Sequence, residues 1–510
     1  MIKIHFLALV VCLFFAVACN LPTQEEFLDE TKDALWAIPL INDEITMEDI
    51  FTSSDPTSNS QVRFDDEGRV IVNYSGEVLR DPASVVFPPI FGIGYIPMSD
   101  TFFQLDLSQG ATLNEIDSAV FLQDQLNFRF ISSSTEPIEV EVWIEEIQLD
   151  GVRLRQFASF PGSPTGAEVE IVSPPIDLEG WSLIGNDNLI TFHYDARTAD
   201  GTRVEIDEVA VNFNLLQFSY LQGYFPRTFR PVSGSFIPIN LYKRWLSGRM
   251  DFVDPKVSLS VENSFGFAVG TEFKEMTLET TGGEKFDIEA EVIETGIIFN
   301  YPTFEEMGEV KLTYFEFTKD NSNVREIFQD RIAKFNYNID AIANPSDDPD
   351  FLGYMTSDSY YAVQLNVEVP LHLSVNQLKV SDTLDINLPD DEVSYIDTAE
   401  LKLIVENNFP IDVTTQLYLM NDQDEVIDSI FDEGPIFLAG GTYDGTETLS
   451  DVDKQTYFID FSASKLANLK ETTRLLVQPT FQSTQGDGEY VWIYKDFGLR
   501  IKMGAKFSLE

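Results

Sequence analysis

Leu259-Ser-Val-Glu-Asn-Ser-Phe-Gly-Phe-Ala-Val269 and, 144 residues later, Leu403-Ile-Val-Glu-Asn-Asn-Phe-Pro-Ile-Asp-Val413 share six of eleven residues without a gap. Their apolar side chains stand at alternate positions, the period of a strand with one buried face. An asparagine follows, a residue that hydrogen-bonds its own backbone at turns, and Gly or Pro then stops the strand. Beyond it Phe or Ile and Val resume the alternation. A looser third copy runs from Phe128 to Val140, with a longer loop before Pro137. Repetition at this spacing predicts a duplicated β-sandwich of roughly 100 to 150 residues.

The same alternation recurs at Arg69 to Val78, Ile138 to Ile144, Val204 to Phe213, Val310 to Phe315, Tyr361 to Leu373, Ala399 to Val405 and Leu499 to Phe507. Asp65-Asp66-Glu67-Gly68 and Gly486-Asp487-Gly488 read as turns, and Thr52 to Gln61 as a loop. Thr23-Gln24-Glu25-Glu26 fits a capping box and predicts a short acidic helix carrying Phe27, Leu28, Leu35 and Ile38, ended by Pro39. The expected fold is mainly β, an elongated series of tandem β-sandwich-like modules with a short N-terminal helix. Its expected spans are a signal peptide over 1–18, lipid anchor, helix and tether over 19–59, an N-terminal β region over 60–250, and modules over 251–350 and 351–510. Asp254-Pro255 and Asn344-Pro345 are the expected joints, because proline discourages strand continuation.

The first eighteen residues have the three parts of a bacterial export signal: Lys3, an apolar run from Phe6 to Phe15 too short to span a bilayer, and Ala16-Val17-Ala18 before Cys19. Ala16-Val17-Ala18-Cys19 resembles a lipobox, with Ala16 where most have leucine. Ala16-x-Ala18 also suits an ordinary signal peptidase, which would leave a soluble chain starting with an unpaired thiol. Such a thiol is a liability in an oxidising compartment, which favours lipidation of Cys19. At about 0.8 kcal/mol per buried CH₂, two or three acyl chains hold a protein at a membrane.

Composition narrows the partners. The formal net charge is −52, and removal of the leader takes away one lysine and no acid, giving −53. A surface this negative repels phosphate backbones, so nucleic acid is excluded. With 44% hydrophobic residues and 41 Phe the chain folds despite its charge.

Few side chains suit catalysis. Beyond the leader only His193 and His372 remain, each inside a strand pattern, and no thiol other than Cys19. Zinc clusters and Cys/His catalysis are therefore not expected, and no cofactor is. Ser163 lies in a Pro/Gly loop without the strand-to-helix setting of a nucleophile elbow. A glycosidase-like carboxylate pair is compatible with 85 acids, but nothing in the sequence selects two. Asn421 to Val426 and Ser346 to Asp350 gather oxygen ligands without completing a calcium loop and read as acidic hairpin tips. Val209 to Met250 stands apart: 42 residues with no Asp or Glu. Arg227, Arg230, Lys243, Arg244, Trp245 and Arg249 within it form a candidate docking patch for a membrane, glycan or acidic partner. The structural alternative is core strand plus a short helix near Leu241 to Gly248, its cations paired with acids elsewhere.

The N-x-F-P-I-x-V pattern resembles the late-embryogenesis-abundant type-2 domain, which implies a fibronectin-like sandwich. Tyr220-Leu-Gln-Gly223-Tyr-Phe225, Trp245-Leu-Ser-Gly248, Asp254-Pro255-Lys256-Val257, Ala343-Asn344-Pro345 and Tyr494-Lys-Asp-Phe-Gly-Leu-Arg-Ile-Lys resemble uncharacterised Bacteroidota outer-membrane lipoproteins. That resemblance implies an outer-membrane or surface lipoprotein and brings no activity with it. The functional expectation is a non-catalytic lipoprotein that binds or scaffolds other envelope proteins. Alternatives are a carrier of an apolar or glycan ligand and a carboxylate-dependent glycoside hydrolase. Acids near Cys19 are displaced to Gln24-Glu25-Glu26, which leaves the face of the outer membrane open.

Overall fold

The structure, a computed structural model, describes residues 36–46, 49–50, 60–88, 90–91, 94–98, 101–107, 115–213, 215–386, 396–445, 447–483 and 489–509. Within the repeat, Asn263 and Asn407 are fully buried and hold the same clamp. The Asn263 Oδ1 accepts from the Phe265 N–H at 3.0 Å, while its Nδ2 donates to the Phe267 and Asn300 carbonyls at 3.2 Å each. In the second copy Oδ1 accepts from the Phe409 N–H at 3.1 Å, and Nδ2 donates to the Ile411 and Ala439 carbonyls at 2.9 Å each. Leu259, Val261, Phe265, Phe267 and Val269, like their counterparts Leu403 to Val413, are buried at every second position.

This clamp turns a corner. The strand before it, Lys256–Asn263 or Ile396–Asn407, lies in a different sheet from the strand after it, Val269–Thr280 or Asp412–Met420. The third copy turns the same corner between Gln125–Ser132 and Ile138–Leu149. There the buried Ser132 accepts from the Ser134 N–H at 3.2 Å, and a hydroxyl has no amide to tie down two further carbonyls.

Three sandwiches share one strand plan. In one sheet the corner strand lies between an edge strand and the strand that closes the repeat. These neighbours are Val169–Val172 and Glu208–Phe213 in the first sandwich, Lys311–Phe317 and Tyr360–Pro370 in the second, and Asp453–Phe461 and Gly498–Leu509 in the third. In the other sheet the strand after the corner pairs with a hairpin partner and with a long strand, Leu189–Thr198, Ile332–Ala343 or Arg474–Gln482. Edge-on phenylalanines tie the sheets together, Phe192 to Phe213 at 5.9 Å and Phe273 to Phe317 at 6.5 Å.

A strand from the N-terminal part of the chain completes each closing strand. Trp36–Thr46 pairs with Gly498–Leu509 in the third sandwich, Val70–Pro82 with Tyr360–Pro370 in the second, and Ile96–Pro97 with Glu208–Phe213 in the first. Residues 36–97 therefore visit the sandwiches in reverse order before the rest of the chain builds them forwards. Buried apolar side chains form one connected cluster from Leu40 to Ala505.

The sequence expectations change accordingly. Residues 23–35 of the proposed helix lie outside the described residues, while Ile38 and Pro39 belong to the Trp36–Thr46 strand. A partner some 460 positions away, invisible to local periodicity, decides this. Most of the Thr52 to Gln61 loop and the Gly486 to Gly488 turn also lie outside the described residues, with Ser60 and Gln61 in a strand. Tyr361 to Leu373 is two strands of different sandwiches, Tyr360–Pro370 and His372–Val380, with Pro370 the last residue of the former strand. Leu241 to Gly248 is a turn leading into the Trp245–Phe252 strand, not a helix. Sheets also cross the sequential spans 60–250, 251–350 and 351–510, since the second sandwich needs Val70–Pro82 and Tyr360–Pro370 and the third needs Trp36–Thr46. Both prolines do mark passages between sandwiches. Asp254-Pro255 joins Trp245–Phe252 of the third to Lys256–Asn263 of the second, and Asn344-Pro345 follows Ile332–Ala343 on the way to Gly353–Thr356 in a first-sandwich sheet.

Gly266 shows why the copies differ. A Cβ there would lie 2.0 Å from the Tyr354 ring, and its N–H donates to the Tyr354 carbonyl at 2.8 Å.

Removing either asparagine amide leaves buried carbonyls and an N–H unanswered, at about 1–3 kcal/mol per group. Asn263→Ala and Asn407→Ala are each expected to cost about 2–4 kcal/mol in urea unfolding, and Ser132→Ala about 1 kcal/mol, since one bond is lost there. Equal losses at all three corners would contradict the clamp.

Candidate binding surfaces

The acid-free segment Val209 to Met250 threads all three sandwiches. Its strands Glu208–Phe213 and Phe218–Tyr224 lie in the first, Thr228–Arg230 and Ser235–Pro238 in the second, and Trp245–Phe252 in the third. Val209, Val211, Phe213, Leu221, Phe225, Ile237 and Met250 are buried along it. Carboxylates are costly to bury, which accounts for their absence at these buried positions.

The six candidate docking residues do not form one patch. Arg227 and Arg230 flank the Thr228–Arg230 strand of the second sandwich. Arg227 lies over the exposed Phe229 ring at 4.9 Å, and Arg230 pairs with the buried Asp81 at 3.1 Å. Asp81 also accepts from the Tyr361 hydroxyl at 2.9 Å, so Arg230 ties one sheet to the other. The other four sit in the third sandwich. Arg244 pairs with Asp382 at 2.6 Å, and Arg249 donates to Gln329 Oε1 at 2.8 Å. Trp245 is buried, packed on Tyr242 at 4.9 Å and capped by Arg331 at 4.6 Å. Lys243 is exposed. Cys19 lies outside the described residues.

The joint between the second and third sandwiches forms a charged cleft. Three backbone segments bond there: Leu371 N–H to Val70, Val70 N–H to Ile493, and Ile493 N–H to Leu371, each at 2.9 Å. Beside them a hollow of about 380 Å³ is lined by Asp254, Lys256, Glu316, Lys319, Glu368 and Trp492. Lys256 lies between Glu316 at 3.4 Å and Glu368 at 3.6 Å, and Lys319 pairs with Asp254 at 2.5 Å. Each of these three carboxylates therefore faces a cation, and the cleft is lined by ion pairs. No sequence motif marks this cleft, because its residues come from four separate stretches.

Both histidines stack. His193 lies between Trp143 at 5.2 Å and Phe102 at 6.1 Å, in a cross-strand row on the first sandwich. His372 stacks on Trp492 at 4.4 Å and 11°, with Arg69 4.6 Å from the same indole. Between the first and second sandwiches, Phe87, Leu122, Phe218, Leu221 and Met355 line an apolar pocket of about 150 Å³. Of the two oxygen-rich loops, Asn421 to Val426 is a hairpin tip, whereas Ser346 to Asp350 is not, because it crosses from Ile332–Ala343 to Gly353–Thr356 in another sheet. Asp347 accepts from Tyr224 Oη and the Arg227 N–H at 2.9 Å each, which holds its carboxyl below the usual range. Asn421 accepts from the Gln423 and Glu425 N–H groups. Among the described residues no three His, Cys, Asp or Glu side chains are grouped to hold a metal ion, and no helix is long and apolar enough to cross a membrane.

No known protein family and no curated protein matches the chain, so the late-embryogenesis-abundant likeness rests on the repeat residues alone. Among solved structures, the chain is similar to a Parabacteroides distasonis protein inferred to be secreted. Identity is 11%, with 92% of this chain and 98% of that one covered, at a TM-score of 0.27. A structure of infectious bursal disease virus, Gx strain, matches at 8% identity over 91% and 84% of the two chains, with a TM-score of 0.15. Similarity this distant carries no argument about function.

Burial holds the His372 imidazole below its usual pKa; Asp254 opposes the shift, and Lys319 and Arg69 reinforce it. A folded value below the unfolded one, about 6.5, makes this contribution complete above that pH and lost as pH falls through the folded value. The stability difference between wild type and His372→Asn is therefore expected to shrink between pH 7.5 and 5. Taking the difference cancels the opposite effect of carboxylate protonation on this acidic chain. A pH-independent difference would show that the imidazole does not titrate against burial.

Proposed function

We propose that this protein is a lipid-anchored component of a bacterial outer membrane, attached through Cys19, that works by binding or scaffolding other envelope proteins without a catalytic step. One observation carries the reading: three sandwiches of one plan are strung on a single N-terminal segment, residues 36–97, which contributes a strand to each. An anchor at Cys19 would enter this segment at Trp36, so its pull would be shared by strand pairs in every sandwich. The intervening stretch spans at most about 60 Å when extended. Repetition of one sandwich plan, with ion pairs lining the cleft between two of the copies, supports recognition over chemistry. The apolar pocket, at about 150 Å³, is half the lower end of ordinary small-molecule sites, about 300 Å³, and so does not favour the carrier reading.

Fractionation of cells expressing wild type and Cys19→Ser tests the address. Wild type is expected in the membrane fraction carrying labelled fatty acid, and the variant unlabelled in the soluble fraction. Unchanged fractionation of Cys19→Ser would overturn the anchor.

A further inference from the structure

The three equivalent edge strands of the repeat are not alike. In the first sandwich Val169–Val172 has only four residues, and in the third Asp453–Phe461 exposes Lys454 and Asp460. Short length and charge are the usual protections of a free strand edge. The edge strand of the second sandwich has seven residues, and its two charged side chains, Lys311 and Glu316, are held in ion pairs. This strand, Lys311–Phe317, presents Leu312 at 58% and Tyr314 at 56% exposure. Ile298, Phe304, Met307 and Val310 beside it are 43–65% exposed, and an open hollow of about 460 Å³ lies between Ile298, Tyr301 and Leu312.

The backbone of this edge is also only partly answered. Lys311–Phe317 pairs with Lys256–Asn263 alone among the described strands. The Leu312 and Glu316 carbonyls point away from that partner, accepting from Asn300 Nδ2 at 3.2 Å and Asn321 Nδ2 at 2.8 Å. By the alternation of an antiparallel ladder, Tyr314 between them turns its N–H and C=O outward as well. Residues 291–316 meanwhile carry six glutamates and one lysine, and Glu306 and Glu309 hold that lysine at 2.7 and 2.9 Å.

We infer that Lys311–Phe317 is a docking edge for an extended, basic segment of another protein, which adds to the sheet as a further strand. The outward backbone of Tyr314 supplies the ladder, Leu312 and Tyr314 supply alternate apolar contacts, and the surplus glutamates select a cationic partner. Pairing of the edge with a second copy would set two such glutamate clusters against each other, which disfavours self-association. The inference deepens the reading of the protein as a binding component, but it is tested on purified chain in solution, where the lipid anchor has no bearing.

The probe is an eight-residue peptide, acetylated and amidated, alternating lysine and valine; its counterpart has glutamate in place of lysine. Fluorescence anisotropy is expected to show binding of the lysine peptide, weaker by about tenfold or more for the glutamate peptide. Hydrogen exchange is expected to slow at residues 312–316 when the lysine peptide is bound. Tyr314→Pro removes an outward N–H without breaking a bond to Lys256–Asn263 and is expected to weaken binding about tenfold or more. Leu312→Glu, a surface change that leaves the backbone intact, is expected to weaken it as well, and circular dichroism checks that both variants fold. Binding that survives both substitutions, protection elsewhere in the chain, or no binding would overturn the proposal. A concentration-dependent dimer abolished by Tyr314→Pro would overturn it in favour of self-pairing.

Discussion

A buried asparagine amide must have its donors and its acceptor answered, and at Asn263 and Asn407 the only groups in reach are the backbone of a chain turning from one sheet to the next. Meeting that demand sets where the strand ends, which way the chain leaves, and which later carbonyl, Asn300 or Ala439, must come alongside. In the second and third sandwiches the strands on either side of the corner lie in different sheets. Ser132, with one donor where asparagine has two, holds the corner of the first sandwich through one bond to the Ser134 N–H, and its connection from Ser132 to Ile138 is as long as that from Asn263 to Val269.

Two runs of chain then join the sandwiches lengthwise. Residues 36–97 supply a strand to each in reverse order, and Val209 to Met250 passes forwards through all three. The charge distribution follows from this threading. A chain of net charge −52 has no acid between Val209 and Met250, and the buried Asp81 lies where Arg230 of that segment meets it. Arg230 and Arg244 thus pair with Asp81 and Asp382, whereas residues 291–316 set six glutamates against one lysine.

Repetition also makes departures from the plan informative. Three copies of one edge strand differ in length, charge and exposure although they occupy the same place, so their differences do not come from the fold itself. Gly266 in place of Pro410 is a second departure, imposed by the Tyr354 ring packed against one copy only.

Local rules were enough to read the strand class and the sandwich repeat, because alternation and a turn-forming asparagine act within a few residues. The N-terminal strand Trp36–Thr46, the division of the chain among sandwiches and the fate of the docking residues were beyond them. Those depend on partners hundreds of positions away: Ile38 is in a strand because Gly498–Leu509 lies beside it, and Arg230 is structural because Asp81 is buried beneath it. The open edge at Leu312 and Tyr314 belongs to the same class, since their alternation says strand and only the sheet order says that nothing among the described strands pairs on the far side. Periodicity reports which face of a residue is apolar; which neighbour covers that face is settled by long-range pairing alone.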